Sequence, residues 1–175
     1  VFTDTAGLRR RGKIERRIEG YSLARTLKAL GRSDIAILIL DGMEGATEQD
    51  TKIAGLIRKQ GRGCILFVNK WDLKKEDPSA MEKYTKELHR HFPFFLFVPT
   101  IFGSALEGAS LDRLFQKIES VIQAFSYRVP TGQLNKFLQK ALEDNPIPSK
   151  KRNPLKSVFI TQVATKPPTF ALFEG

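Results

Sequence analysis

The sequence predicts an α/β domain, a parallel sheet with helices on both faces, followed by a small α+β unit. Two observations carry this. Through residues 1–127, short apolar runs alternate with amphipathic stretches, the pattern of strands joined by crossover helices. From residue 128 the alternation stops, and one helix is followed by two strands. The expected domains are therefore 1–127 and 128–175.

Each element has its own signal. Residues 1–3 look like the end of a strand. Residues 14–30 place Ile14, Ile18, Tyr21, Leu27 and Leu30 on one stripe of a helix. The continuous run Ile35-Ala-Ile-Leu-Ile-Leu40 is what a strand buried on both faces needs. Residues 47–58 form a helix with Thr47 as N-cap and Asp50 three residues on. Residues 64–68 are a second buried strand, 80–91 a helix, and 94–98 a third strand. Ser110 is expected to cap the clearest helix, in which Leu111, Leu114, Phe115, Ile118, Val121, Ile122 and Phe125 keep the 3.6-residue period. Residues 131–143 form an amphipathic helix. A basic, proline-containing linker covers 145–154. Residues 157–164 and 169–173 alternate like half-buried strands, with Pro167 and Pro168 between them.

Composition narrows the class. The chain has 175 residues, with 41% hydrophobic and 27% charged, a globular balance. Its longest purely apolar run, Ile35 to Leu40, is far short of the roughly 20 residues of a membrane helix. The opening residues carry no secretory signal pattern. One cysteine, Cys64, excludes an internal disulfide and reads as core. A cytoplasmic setting fits. The net charge of +10 points to a polyanionic partner, and half of that excess falls in residues 128–175.

Three loops follow predicted strands, where ligands of such sheets bind. Asp4-Thr5-Ala6-Gly7 offers a carboxylate suited to a magnesium ion held through water, and a glycine whose N–H can approach a terminal phosphate. Asn69-Lys70-Trp71-Asp72 offers a carboxylate that can accept from guanine N1–H and its 2-amino group, a donor pair adenine lacks. The aliphatic stem of Lys70 can lie along the base, and Asn69 can brace the neighbouring loops. Ser104-Ala105 offers a backbone N–H for the guanine O6, with Ser104 fixing the loop.

On these motifs, together with "DTAGLRRRGKIE", "DGMEGATEQD", "LNKFLQKALEDNPIP" and "ITQVATKPPTFALF", the chain resembles the P-loop GTPases of the bacterial double-Era-like (Der, or EngA) family. The similarity lies with that family's second G domain, from switch II onward (1–127), and its KH-like domain (128–175), expected to be truncated at its C-terminus. The resemblance implies a GTP-hydrolysing switch that acts in assembly of the large (50S) ribosomal subunit. It implies GTP or GDP and Mg as cofactors, with K as an activating cation. The implied partners are the large subunit and its rRNA, and an upstream first G domain of the same chain, with no membrane. By position, Asp4 falls on the Mg side and Gly7 against the terminal phosphate. Asn69, Lys70 and Asp72 fall on guanine, with Ser104 and Ala105. Leu8 stands where many GTPases have a water-orienting glutamine; the resembled family has a hydrophobic residue there instead, so Leu8 agrees with it. No catalytic base is assignable. Two other classes compete: a non-catalytic ribosome- or RNA-binding module with a degenerate G domain, and an Era-like GTPase with another rRNA target.

Other features read differently. Residues 7–14 nearly match a phosphate-binding loop, but Ile14 lacks the hydroxyl that would reach magnesium. The expectation is that the true loop lies upstream and that these 175 residues alone bind GTP poorly. Gly42-Met-Glu-Gly45 has the spacing of an RNA clamp but carries Glu44, so it reads as a tight turn. Arg9, Arg10 and Arg11, and Lys150, Lys151 and Arg152, are candidate RNA contacts. His89 and His91 suit a helix C-terminus.

Overall fold

A computed structural model describes residues 3, 16–74, 77–145 and 158–174, with the side chains of 16–23 left out of the account. It divides into two compact units, Val1–Ile122 and Gln123–Gly175.

The first unit carries α1 (Arg16–Arg32), β1 (Ile35–Asp41), α2 (Glu48–Lys59), β2 (Gly63–Asn69), α3 (Ala80–His91) and β3 (Thr100–Phe102). It also holds most of α4 (Leu111–Ser126). Short 3-10 turns occupy Trp71–Lys74 and Pro93–Phe95. Among the described residues the sheet is parallel throughout, in the order β1-β2-β3. β1 and β2 align from Ile35 opposite Gly63 to Asp41 opposite Asn69, so both strands end at the same level.

Burial on both faces is met by β2 but not by β1, where Ile35 and Ile37 are only half-buried and Ile39 is 62% exposed, contrary to the expectation for the 35–40 run. On one face Leu38, Leu40, Cys64, Leu66 and Val68 pack with Leu30 of α1, Ala54 and Ile57 of α2, and Tyr84 and Leu88 of α3. On the other, Ile65, Phe67 and Ile101 meet Leu111, Leu114, Ile118 and Val121 of α4. The α4 stripe is thus the sheet-facing one, while Phe115 and Ile122 stay exposed. The start of α2 follows its sequence signal. Asp50 N–H donates to Thr47 Oγ1 at 3.2 Å, and Thr47 N–H donates to Asp50 Oδ2 at 2.9 Å, a reciprocal capping box.

One expected strand is absent. Residues 94–98 form a turn, and the third strand lies at Thr100–Phe102 instead. Pro93 lacks an N–H and starts the turn. Phe95 N–H then donates to Phe92 O, and Val98 N–H to Phe95 O. This buries Phe92 and Phe95 and leaves Leu96 and Phe97 outside, with Phe97 83% exposed. The apolar run is split between core and solvent, and the strand starts instead at Thr100, whose hydroxyl interrupts the apolar pattern. Of the opening strand expected at 1–3, Val1 and Phe2 lie outside the described residues, and Thr3 is in no regular element.

The second unit contains α5 (Thr131–Asp144), β4 (Val158–Ala164) and β5 (Thr169–Glu174), the strands antiparallel. Two amide side chains hold it together. Asn135 on α5 accepts from Ile160 N–H at 3.0 Å and donates to Ile160 O at 2.9 Å, pairing with β4 as a strand would. Gln162 is 4% exposed. It accepts from Val129 N–H at 2.7 Å and donates to Tyr127 O and Ala164 O, so its amide is buried with its partners made. Neither role is visible in the sequence, because each depends on pairing across tens of residues.

Candidate functional site

The C-terminal ends of β1, β2 and β3 bring two of the predicted loops together. β2 ends at Asn69, and the chain turns sharply at Lys70, which adopts φ of 61°. A long side chain rarely takes that left-handed conformation. It is held there by the flanking bonds: Asn69 O accepts from Gly42 N–H at 2.8 Å, and Trp71 N–H donates to Gly103 O at 3.0 Å.

Two glycines allow these close approaches. A Cβ on Gly42 would stand 2.7 Å from Asn69 O, and one on Gly103 would stand 2.6 Å from Ala109 O. Any other residue at either place would push the loops apart. Gly103 N–H also donates to Val68 O at 3.0 Å, so the third loop springs directly from the end of β2.

The expected brace between loops is direct. Asn69 Oδ1 accepts from Ala105 N–H at 2.9 Å. Ser104 is 1% exposed. Its N–H donates to Ala109 O, and its Oγ accepts from Glu107 N–H at 3.2 Å, closing the loop on itself. The Ala105 amide expected for a base oxygen is therefore turned toward Asn69 in this structure.

Asp72 sits in the first turn after Lys70, half-buried. Its Oδ1 is buried with no hydrogen-bond partner among the described residues. A buried carboxylate oxygen without a donor is unfavourable unless something else supplies one. The turn carrying it rests on an aromatic floor. Trp71 lies 4.4 Å from Phe102 and 5.5 Å from Tyr84, centroid to centroid, with Lys74 Nζ over both Trp71 and Tyr84.

The structure adds a residue that the sequence reading passed over. Asp41 ends β1 opposite Asn69. Its Oδ2 accepts from Lys70 Nζ at 2.6 Å, and its Oδ1 accepts from Met43 N–H at 2.8 Å. The hydrogen bond from Lys70 holds the Asp41 carboxyl below its ordinary value, against a smaller opposing effect of burial. Its carbonyl accepts from the buried Tyr84 hydroxyl at 3.0 Å and from Gly45 N–H at 3.1 Å. The 42–45 segment is thus a tight turn, not a clamp. The signal that could have found Asp41 is its place at the end of a buried strand.

The remaining predicted residues fall elsewhere. Asp4, Thr5, Ala6, Gly7, Arg9, Arg10, Arg11, Lys150, Lys151 and Arg152 lie outside the described residues. Among the described residues, no group of His, Cys, Asp and Glu could hold a metal ion. None of the described helices is long and apolar enough to cross a membrane.

A parallel sheet flanked by helices, with paired loops at its C-terminal edge, followed in the chain by a helix–strand–strand unit, defines the class: a G domain with a KH-like domain. Residues 23–124 match the elongation factor Tu GTP-binding domain, and residues 128–174 match the C-terminal KH-domain-like unit of EngA bacterial GTPase enzymes. The chain belongs to the family of elongation factor Tu-type GTP-binding domains. It is 44% identical to GTPase Der of Finegoldia magna over 99% of this chain and 40% of that protein. It is 42% identical to GTPase Der of Caldanaerobacter subterraneus over 99% of this chain and 39% of that protein. The chain spans about 40% of the length of these curated relatives. A crystal structure of Era with MgGDPNP and nucleotides of 16S ribosomal RNA shares the fold. It has a TM-score of 0.52 at 23% identity, covering 62% of this chain and 35% of that one.

Proposed function

We propose that this chain reads the guanine base of GTP and GDP within a GTP-hydrolysing switch protein that acts in assembly of the large ribosomal subunit. The observation that carries the base reading is the buried, unpartnered Oδ1 of Asp72, on a turn tied through Asn69 to Ala105. Guanine N1–H and its 2-amino group are the donor pair that would satisfy this carboxylate. Adenine offers none, so the desolvated oxygen would discriminate strongly against it. Lys70 covers the base with its aliphatic stem, Asn69 braces the two loops, and Ser104 and Ala105 wall the O6 side.

The phosphate half of the site is assigned by motif. Asp4 would hold Mg through water, and Thr5, Ala6 and Gly7 would form the switch segment beside the terminal phosphate. K is the cation that would assist, since Leu8 supplies no water-orienting group. Residues 1–127 form the nucleotide unit and 128–175 the KH-like unit in this reading. Arg9, Arg10, Arg11, Lys150, Lys151 and Arg152 would meet rRNA phosphates, in keeping with the net charge of +10. The setting is the bacterial cytoplasm, and a further G domain of the same polypeptide is the expected internal partner. Resemblance to GTPase Der over 99% of this chain supports the GTP-hydrolysing switch.

The test is sedimentation of the full-length protein with purified ribosomal subunits in a GTP analogue, GDP or no nucleotide, at two salt concentrations. Binding to the large subunit, with the GTP analogue only and surviving the higher salt, is expected. Equal binding in all three states would instead identify a passive RNA-binding module.

A further inference from the structure

We propose that Asp41 is a positioning residue for base recognition, clamping the Lys70 side chain in the place where it covers the purine. This rests on the reading of the 69–72 loop as the guanine site. Three independent holds converge on Asp41. Its backbone is fixed by β1 and by the Tyr84 hydroxyl, which donates to its carbonyl at 3.0 Å. One carboxylate oxygen is fixed by Met43 N–H at 2.8 Å, with Glu44 N–H at 3.4 Å. The other accepts from Lys70 Nζ at 2.6 Å. The register places Asp41 opposite Asn69, one residue short of Lys70, so the clamp comes from the neighbouring strand and not from the loop itself.

Stability does not account for this arrangement. The Lys70 side chain is 51% exposed, and a half-exposed ion pair adds little to folding. Lys70 nonetheless stands in a left-handed conformation that its side chain disfavours. From there its ammonium reaches the end of β1 and donates to Asp41 Oδ2. An unclamped lysine would have four rotatable bonds to immobilise when a base arrives. A clamped one has already lost that freedom, so less of the binding free energy is spent on ordering it.

The test uses the full-length protein and displacement of a fluorescent GDP by GDP and by inosine diphosphate, which lacks the 2-amino group. Asp41→Asn keeps an oxygen for the Met43 N–H but removes the charge that holds Lys70. Affinity for both nucleotides is expected to fall together, by about tenfold. Their ratio is expected to stay at the wild-type value, because the 2-amino group is read by Asp72. Lys70→Met should show the same pattern, and the double variant should bind no worse than Lys70→Met alone. Lys70→Met also stands by itself should Asp41→Asn fold poorly in thermal melts. GDP affinity within twofold of wild type in Asp41→Asn, or losses that multiply in the double variant, would overturn the proposal while leaving the guanine site intact. Absence of GDP binding in the wild-type protein would overturn both.

Discussion

Replacing Gly103 with alanine puts a methyl group 2.6 Å from the Ala109 carbonyl oxygen and 3.0 Å from the Phe67 ring. The oxygen belongs to the backbone and the ring to the core, so neither yields like the tip of a surface side chain. The loop from Ser104 to Ala109 must move outward by roughly half an ångström or more to restore ordinary contact. Overpacking of this kind costs about 1–3 kcal/mol. For a unit of this size that corresponds to a melting temperature lower by about 4–12 °C. The same movement carries Ala105 away from Asn69, stretching a bond now 2.9 Å long, and loosens the Trp71 N–H from Gly103 O. Nucleotide affinity should therefore fall by about tenfold or more, even at temperatures where the variant is fully folded. Circular dichroism melts of this chain, paired with fluorescent-GDP titration of the full-length protein at 15 °C, read both effects. A variant that melts lower but binds GDP as tightly as wild type would refute the link between this loop and the site. One unchanged in both would refute the steric argument itself.

Two further outcomes follow from the core and from a helix start. Burial pushes the Cys64 thiol up to about 12, so at pH 8 it is a neutral, enclosed group. Iodoacetamide should label it only when the protein unfolds; rapid labelling of the native protein at pH 8, followed by mass spectrometry, would contradict the packing of β2. Thr47→Ala removes the oxygen that accepts from Asp50 N–H and should destabilise the first unit by about 1 kcal/mol. Urea unfolding with an unchanged midpoint would show that the capping box contributes nothing.

Much of the nucleotide unit could be read from local pattern. The apolar run at 35–40, the Thr47–Asp50 pair and the stripe of α4 each sit within a few residues, and each formed where expected. The strand expected at 94–98 did not form, because a proline and a turn divide an apolar run between core and solvent in a way periodicity cannot display. The site divides along the same line. Asn69, Lys70 and Asp72 lie within four residues directly after a buried strand, so a guanine role for them can be proposed from local sequence alone. Asp41 and Gly103 act only through parallel register and close approach, across 29 residues in the case of Asp41 and Lys70. The identities of Asn135 and Gln162 were equally silent, since a surface amide and a buried, fully bonded one are written with the same letter.

The central claim is that Asp72 reads guanine, and exchanging its carboxylate for an amide tests it most directly. Two charge-assisted hydrogen bonds to the base contribute about 1.5–3 kcal/mol each, so Asp72→Asn in the full-length protein should weaken GTP binding by about a hundredfold or more. An asparagine amide can donate to the O2 of xanthine, so xanthosine triphosphate should become the preferred nucleotide in a competition assay. Retention of the wild-type preference for GTP over xanthosine triphosphate would contradict the account and remove Asp72 from base recognition.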